Sequence, residues 1–149
     1  MKRFIAKVLF FFSLVVLMDI TFGFVFSALR AYAKGGSTEN CEYIDNRSTD
    51  DIIILGSSRA THHYVPQIIE DSLGVSCYNC GEEGNGIVLA YGRYKMLTGR
   101  YKSRLIIYEV TPGYDYGTNE PNTKYLGYLR PYYKKIGIKE IFDDFDDEL

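Results

Sequence analysis

Seven consecutive residues, Ser57 to His63, carry two serines, an arginine and two histidines, with Gly56 just before them. A serine hydroxyl attacks an acyl carbon only when a base removes its proton, and imidazole is the side chain that does so most readily near neutral pH. Two other stretches offer small and polar residues. Residues 79–86 read Asn-Cys-Gly-Glu-Glu-Gly-Asn-Gly, and residues 109–113 read Glu-Val-Thr-Pro-Gly. Backbone N–H groups in such turns can hold the oxyanion of a tetrahedral intermediate. Acyl transfer through serine is the chemistry these stretches could perform together.

Each stretch follows a segment that reads as a strand. Residues 52–55, Ile-Ile-Ile-Leu, are short, mostly β-branched and stopped by Gly56, the pattern of a strand covered on both faces of a parallel sheet. Residues 75–79 and 104–110 supply a second and a third strand. Between the first two, Pro66 at a first helical position and Gly74 just past the end bound a short helix. Between the second and third, apolar residues at 87, 90, 91, 94 and 97 recur at helical spacing up to Gly99. This β-α-β-α-β order predicts a partial three-layer α/β/α domain of the flavodoxin-like kind around a parallel sheet, with its crevice at the carboxyl ends of the strands. No fourth buried strand follows Val110, so the sheet is expected to be unfinished, with an uncovered edge. Beyond it lie a tyrosine-rich loop from Tyr114, a helix near residues 125–135, and a terminal run, 138–149, that turns acidic.

Lys2, Arg3 and Lys7 precede an apolar run of 22 residues, 8–29, broken by one charge, Asp19. That length crosses the ~30 Å hydrocarbon core as a helix. Fifteen of its residues are Leu, Ile, Val or Phe. At about −0.3 to −0.6 kcal/mol each they outweigh roughly +3 kcal/mol for Asp19. Two readings stand for Asp19: it pairs with a partner membrane protein, or it sits in the helix without a role. Residues 1–33 are expected to be an uncleaved signal anchor, a single membrane span. The alternative is a cleaved signal peptide, since Ala31-Tyr-Ala33 has the small-x-small form of a processing site. The basic N-terminus puts the following domain on the extracytoplasmic, periplasmic side. Residues 34–50, rich in Gly, Ser, Asn and acids, read as a tether, which leaves residues 51–149 for the domain.

Composition closes off other classes. With 17 basic and 19 acidic side chains in 149 residues, no nucleic-acid footprint is present. Residues 81–86 are not the Gly-x-Gly-x-x-Gly of a dinucleotide site, and no cofactor is expected. Adjacent histidines point apart in extended chain and no third ligand is evident, so no metal is expected. Cys41, Cys77 and Cys80 are an odd count without a disulfide framework, and Cys77 and Cys80 read as small buried thiols. Most of the 14 tyrosines read as half-buried core and rim.

The set of turns resembles the SGNH (GDSL-like) hydrolase family, over roughly residues 51–115. In that family the first turn carries the nucleophilic serine of Gly-Asp-Ser, and here Gly56-Ser57-Ser58 stands in its place, with Ser58 as the implied nucleophile. The family's second block runs Asn-x-x-x-x-Gly; Asn79 and Gly84 match it, which implies a Gly84 N–H donor to the oxyanion. Gly-Ser-Ser behind a membrane anchor is more similar to the acyl-transfer branch, which implies an esterase or O-acyltransferase acting on surface polysaccharide.

Two departures from the family matter. The third block should offer Gly-x-Asn-Asp, where this chain reads Glu109-Val-Thr-Pro-Gly-Tyr-Asp115, and the closing Asp-x-x-His pair is absent. The domain is therefore expected to stop short of its base and to be inactive as it stands. His62 or His63 could replace that base from four or five residues beyond Ser58, although no acid is obviously placed to orient them. Arg59 is a partner either for a carboxylate or for an anionic substrate. The alternative to an enzyme is a catalytically silent, membrane-anchored module that binds glycan or a partner.

Overall fold

The computed structural model describes residues 2–116 and 126–145, so most of the tyrosine-rich loop, the expected helix start at Tyr125 and the end of the acidic run lie outside the described residues. The chain divides into two compact units, Met1–Lys34 and Gly35–Leu149. The first is helix α1, Lys2–Arg30, long and apolar enough to cross a membrane and without a buried residue. Its Ser13 and Thr21 hydroxyls donate to the carbonyls of Phe10 and Leu17, so neither polar group is left unsatisfied in an apolar surround. Asp19 is exposed on this helix.

The second unit is a mixed α/β domain on a three-stranded parallel sheet of order β2-β1-β3. Strand β1, Ile52–Gly56, is central and buried throughout; it pairs with β2, Cys77–Asn79, and with β3, Leu105–Glu109. Helices cover both faces, as the period of two along β1 requires. Ile52 and Ile54 pack with Ala60 and Cys77 toward α3, Ser58–His63, and α4, Pro66–Leu73. Ile53 and Leu55 belong to the larger core, which holds residues of α2, Gly36–Asn46, and α5, Ile87–Thr98. Proline opens α4 and Gly74 closes it, donating to the Glu70 carbonyl, as the sequence pattern requires. Short α6, Pro112–Asp115, follows β3. The chain then packs Leu126 and Leu129 of α7, Leu126–Leu129, Tyr132 of a 3₁₀ turn, and Ile138, Ile141 and Phe142 of α8, Ile138–Phe145, into the larger core.

Two expectations need correction. Residues 34–50 are not a tether: α2 forms there, and Cys41 and Ile44 are fully buried. Its polar residues find distant partners instead of water. Tyr132 donates to Glu42 at 2.6 Å, Lys135 pairs with Asp45 at 3.0 Å, and the Arg100 guanidinium takes the carbonyls of Ile44, Asp45 and Ser48. The buried face of α5 also matches its apolar periodicity only in part. Ala90 and Leu97 of that pattern are buried, together with Val88, Leu89, Gly92, Arg93 and Met96, while Ile87, Tyr91 and Tyr94 are exposed. Those three line an open apolar cleft of about 160 Å³ with Leu55, Ala90, Ile106 and Tyr108, beside strand β3. Among the described residues nothing pairs with the outer edge of β3, where Leu105 is half exposed.

Candidate functional site

Strand β1 and strand β3 end side by side, with Gly56 in register with Glu109. That closeness dictates glycine. A Cβ at position 56 would lie 2.8 Å from the Glu109 Cβ and 3.0 Å from that of Ala60, and its φ of 146° is foreign to other residues. Ser57 follows as the N-cap of α3, accepting from the Arg59 N–H. Its hydroxyl is turned inward: it donates to Glu109 Oε2 at 3.0 Å and lies 2.8 Å from Thr111 Oγ1. Thr111 also donates to Glu109, and the Arg59 Nε sits 3.2 Å from Oε1 of the same carboxylate. Glu109, 6 % exposed, is thus a buried charge with its hydrogen bonds filled and its countercharge beside it, the condition under which burial is tolerated. Behind it, Asp115 accepts from the Thr111 N–H and from the Tyr108 hydroxyl, fixing the turn after β3. Burial, and then the bond to Asp115, push the Tyr108 phenol well above its ordinary pKa.

Ser58 is the first residue of α3 and is half-buried, and its hydroxyl has no hydrogen-bond partner among the described residues. The tight turn therefore separates two adjacent serines by role: Ser57 ties the strand ends together, and Ser58 is left available. Arg59 is accounted for in part as the partner of Glu109, with a side chain still 53 % exposed.

Residues 79–86 form the second wall. Asn79, expected at a ligand site, is spent on the fold: its side-chain amide donates to the carbonyls of Ala60 and Tyr64 and accepts from the Gly81 N–H. Gly81 lies so close to α3 that a Cβ would come within 2.7 Å of the Thr61 nitrogen. The Glu82 N–H donates to the Gly56 carbonyl, stitching the loop to the end of β1. From the other side, Arg93 of α5, 1 % exposed, donates to Glu82 at 2.9 Å and to the Cys80 carbonyl at 2.7 Å. Asn40 of α2 also donates to Glu82. Gly84 is half-buried in the turn of this loop, with a φ of 69°.

One contact supplies what seemed missing from the sequence. His62 Nε2 lies 2.7 Å from Glu83 Oε1, so the histidine does have an acid, contributed by the loop after β2. Both side chains are exposed. His63 is exposed and has no hydrogen-bond partner among the described residues.

The cysteines play no part in this rim. All three are buried free thiols, and burial pushes the Cys80 thiol up to about 12 despite Arg93 nearby. Local reading passed over Arg93, Glu83 and the Ser57–Glu109–Thr111 cluster. A hint for Arg93 was present: an arginine inside an apolar helix, ten residues after a Glu-Glu pair in a glycine-rich loop, is a charge in need of a partner. No family model, curated protein or solved structure matches this chain.

Proposed function

We propose that the chain is a membrane-anchored serine esterase or O-acyltransferase of the SGNH kind, acting outside the cytoplasm on acyl esters of surface glycan. In this reading the parallel sheet belongs to a flavodoxin-like domain, Ser58 is the nucleophile, and the N–H groups of Ser58 and Gly84 receive the oxyanion. The observation that carries the reading is the division of labour between the two serines. Ser57 is locked to Glu109 and Thr111, while Ser58 offers an unengaged hydroxyl at the first turn of a helix that follows the carboxyl end of the central strand. Nucleophilic serines occupy such strand-to-helix turns because the turn exposes Oγ among free N–H groups.

The test is covalent labelling of the full chain in mild detergent with a fluorophosphonate, alongside turnover of p-nitrophenyl acetate. Ser58→Ala should abolish labelling and lower turnover to background. Ser57→Ala should weaken the fold yet leave a labelled Ser58. Equal labelling of the Ser58→Ala variant sinks Ser58 as the nucleophile, and no labelling of the unsubstituted chain puts the silent binding module in place of the enzyme. Protease added to intact spheroplasts should remove the domain, and full protection would reverse the orientation.

A further inference from the structure

We propose that Ser58, His62 and Glu83 form one proton relay, with His62 as the base and Glu83 as the carboxylate that positions it. The inference rests on the serine reading above and adds to it the group that reading lacks. The 2.7 Å contact between His62 Nε2 and Glu83 Oε1 selects the tautomer. With Nε2–H donating to the carboxylate, the lone pair lies on Nδ1, which has no hydrogen-bond partner among the described residues. Ser58 and His62 are four residues apart on α3. Residues at that spacing share a helix face, with Cβ atoms roughly 5–6 Å apart. His63 lies one position further round the helix and has no such acid.

Nearby carboxylates offer no competing base. Glu109 already holds Ser57, Thr111 and Arg59, and Glu82 is committed to Arg93. Glu83 is the acid of this loop that faces α3, and the loop is pinned just ahead of it by Asn79 and by the Glu82–Arg93 pair. The relay is thus assembled from two elements distant in sequence, as proton relays of serine enzymes are.

The step balances without a further reagent. His62 Nδ1 takes the Ser58 proton as the Oγ–acyl carbon bond forms, and the carbonyl electron pair moves onto oxygen. When the intermediate collapses, the bond to the leaving alkoxide breaks and the imidazolium returns that proton to it. Water or a glycan hydroxyl then attacks the acyl-serine by the same route in reverse. Because His62 and Glu83 are 62 % and 67 % exposed, water screens the pair. The carboxylate's effect should therefore fall far below the ~10⁴-fold of a buried triad acid.

The experiment measures p-nitrophenyl acetate turnover and fluorophosphonate labelling by the full chain and its variants, with thermal midpoints as a control. His62→Ala should lower kcat about 10²-fold or more, and added imidazole should restore part of the loss. Glu83→Gln should lower kcat roughly tenfold with KM unchanged, and Glu83→Asp should recover most of it; both variants should keep the wild-type midpoint. If Ser58→Ala abolishes turnover while His62→Ala and Glu83→Gln stay within twofold of wild type, the relay is overturned and the serine reading stands. No labelling of the unsubstituted chain at Ser58 overturns both.

Discussion

Replacing Arg93 by Met tests whether one buried charge holds the second wall of the site. Methionine keeps most of the apolar stem of arginine and removes its guanidinium. Breaking a buried ion pair by taking one partner costs about 3–5 kcal/mol. Glu82 is 18 % exposed and keeps its bond from Asn40, so the pair term sits at or below the bottom of that range. The Cys80 carbonyl loses its 2.7 Å donor, which adds roughly 1 kcal/mol. The expected loss is about 3–4 kcal/mol, a large part of the 5–15 kcal/mol typical of a domain. Urea unfolding of the full chain in detergent, followed through the tyrosine near-UV signal, reads it directly, because α1 contributes one tyrosine-free helix to the background. Combining Arg93→Met with Glu82→Gln should give a coupling energy above about 1 kcal/mol. A loss under about 1 kcal/mol, or additive effects, would refute the view that this pair fixes residues 79–86, and the positioning of Glu83 would lose its support.

Two further outcomes follow from the same contacts. Gly56→Ala should destabilise the domain by at least about 2 kcal/mol, since it combines a φ of 146° with a 2.8 Å approach to Glu109; a thermal midpoint within a few degrees of wild type would contradict the close approach. The domain should also lose stability in alkali. Burial, with the bond to Asp50, raises the folded-state pKa of Tyr43 from 10.0 to about 12, and burial raises that of Cys80 from 9.0 to about 12. Groups raised in the folded state stabilise fully below their unfolded pKa and lose that contribution as pH climbs through the folded value. Thermal midpoints should therefore fall between about pH 9 and 12, and Tyr43→Phe should flatten the part above pH 10.

Local rules recovered what local interactions determine. The isoleucine run gave β1, Pro66 and Gly74 bounded α4, and the span 87–98 matched α5 end to end. Rules of the same kind failed where distant partners decide. Helix α2 looks like a linker until Tyr132, Lys135 and Tyr78 answer its polar side chains and Arg100 its last carbonyls. The face of α5 was misjudged in part because Arg93, no member of the apolar pattern, is buried with its bond to Glu82. At the site, the order Gly-Ser-Ser is legible as a turn, and the inward aim of Ser57 follows from the cap geometry. Glu83 was not legible as a partner of His62, since 21 residues of chain separate them and only the return of the loop from β2 brings them together.

The outer edge of β3, unpaired among the described residues, has a practical consequence for anyone producing this protein. Leu105-Ile-Ile-Tyr108 is an unbroken stretch without proline, and its outward N–H and C=O groups are the template on which another extended chain can add. Lys102 and Arg104, exposed just ahead of it, are the charges that hold such addition in check. Yield should therefore respond to salt, which screens those charges, more sharply than to temperature, and losses during concentration should appear as thioflavin-positive assemblies before any change in the thermal midpoint.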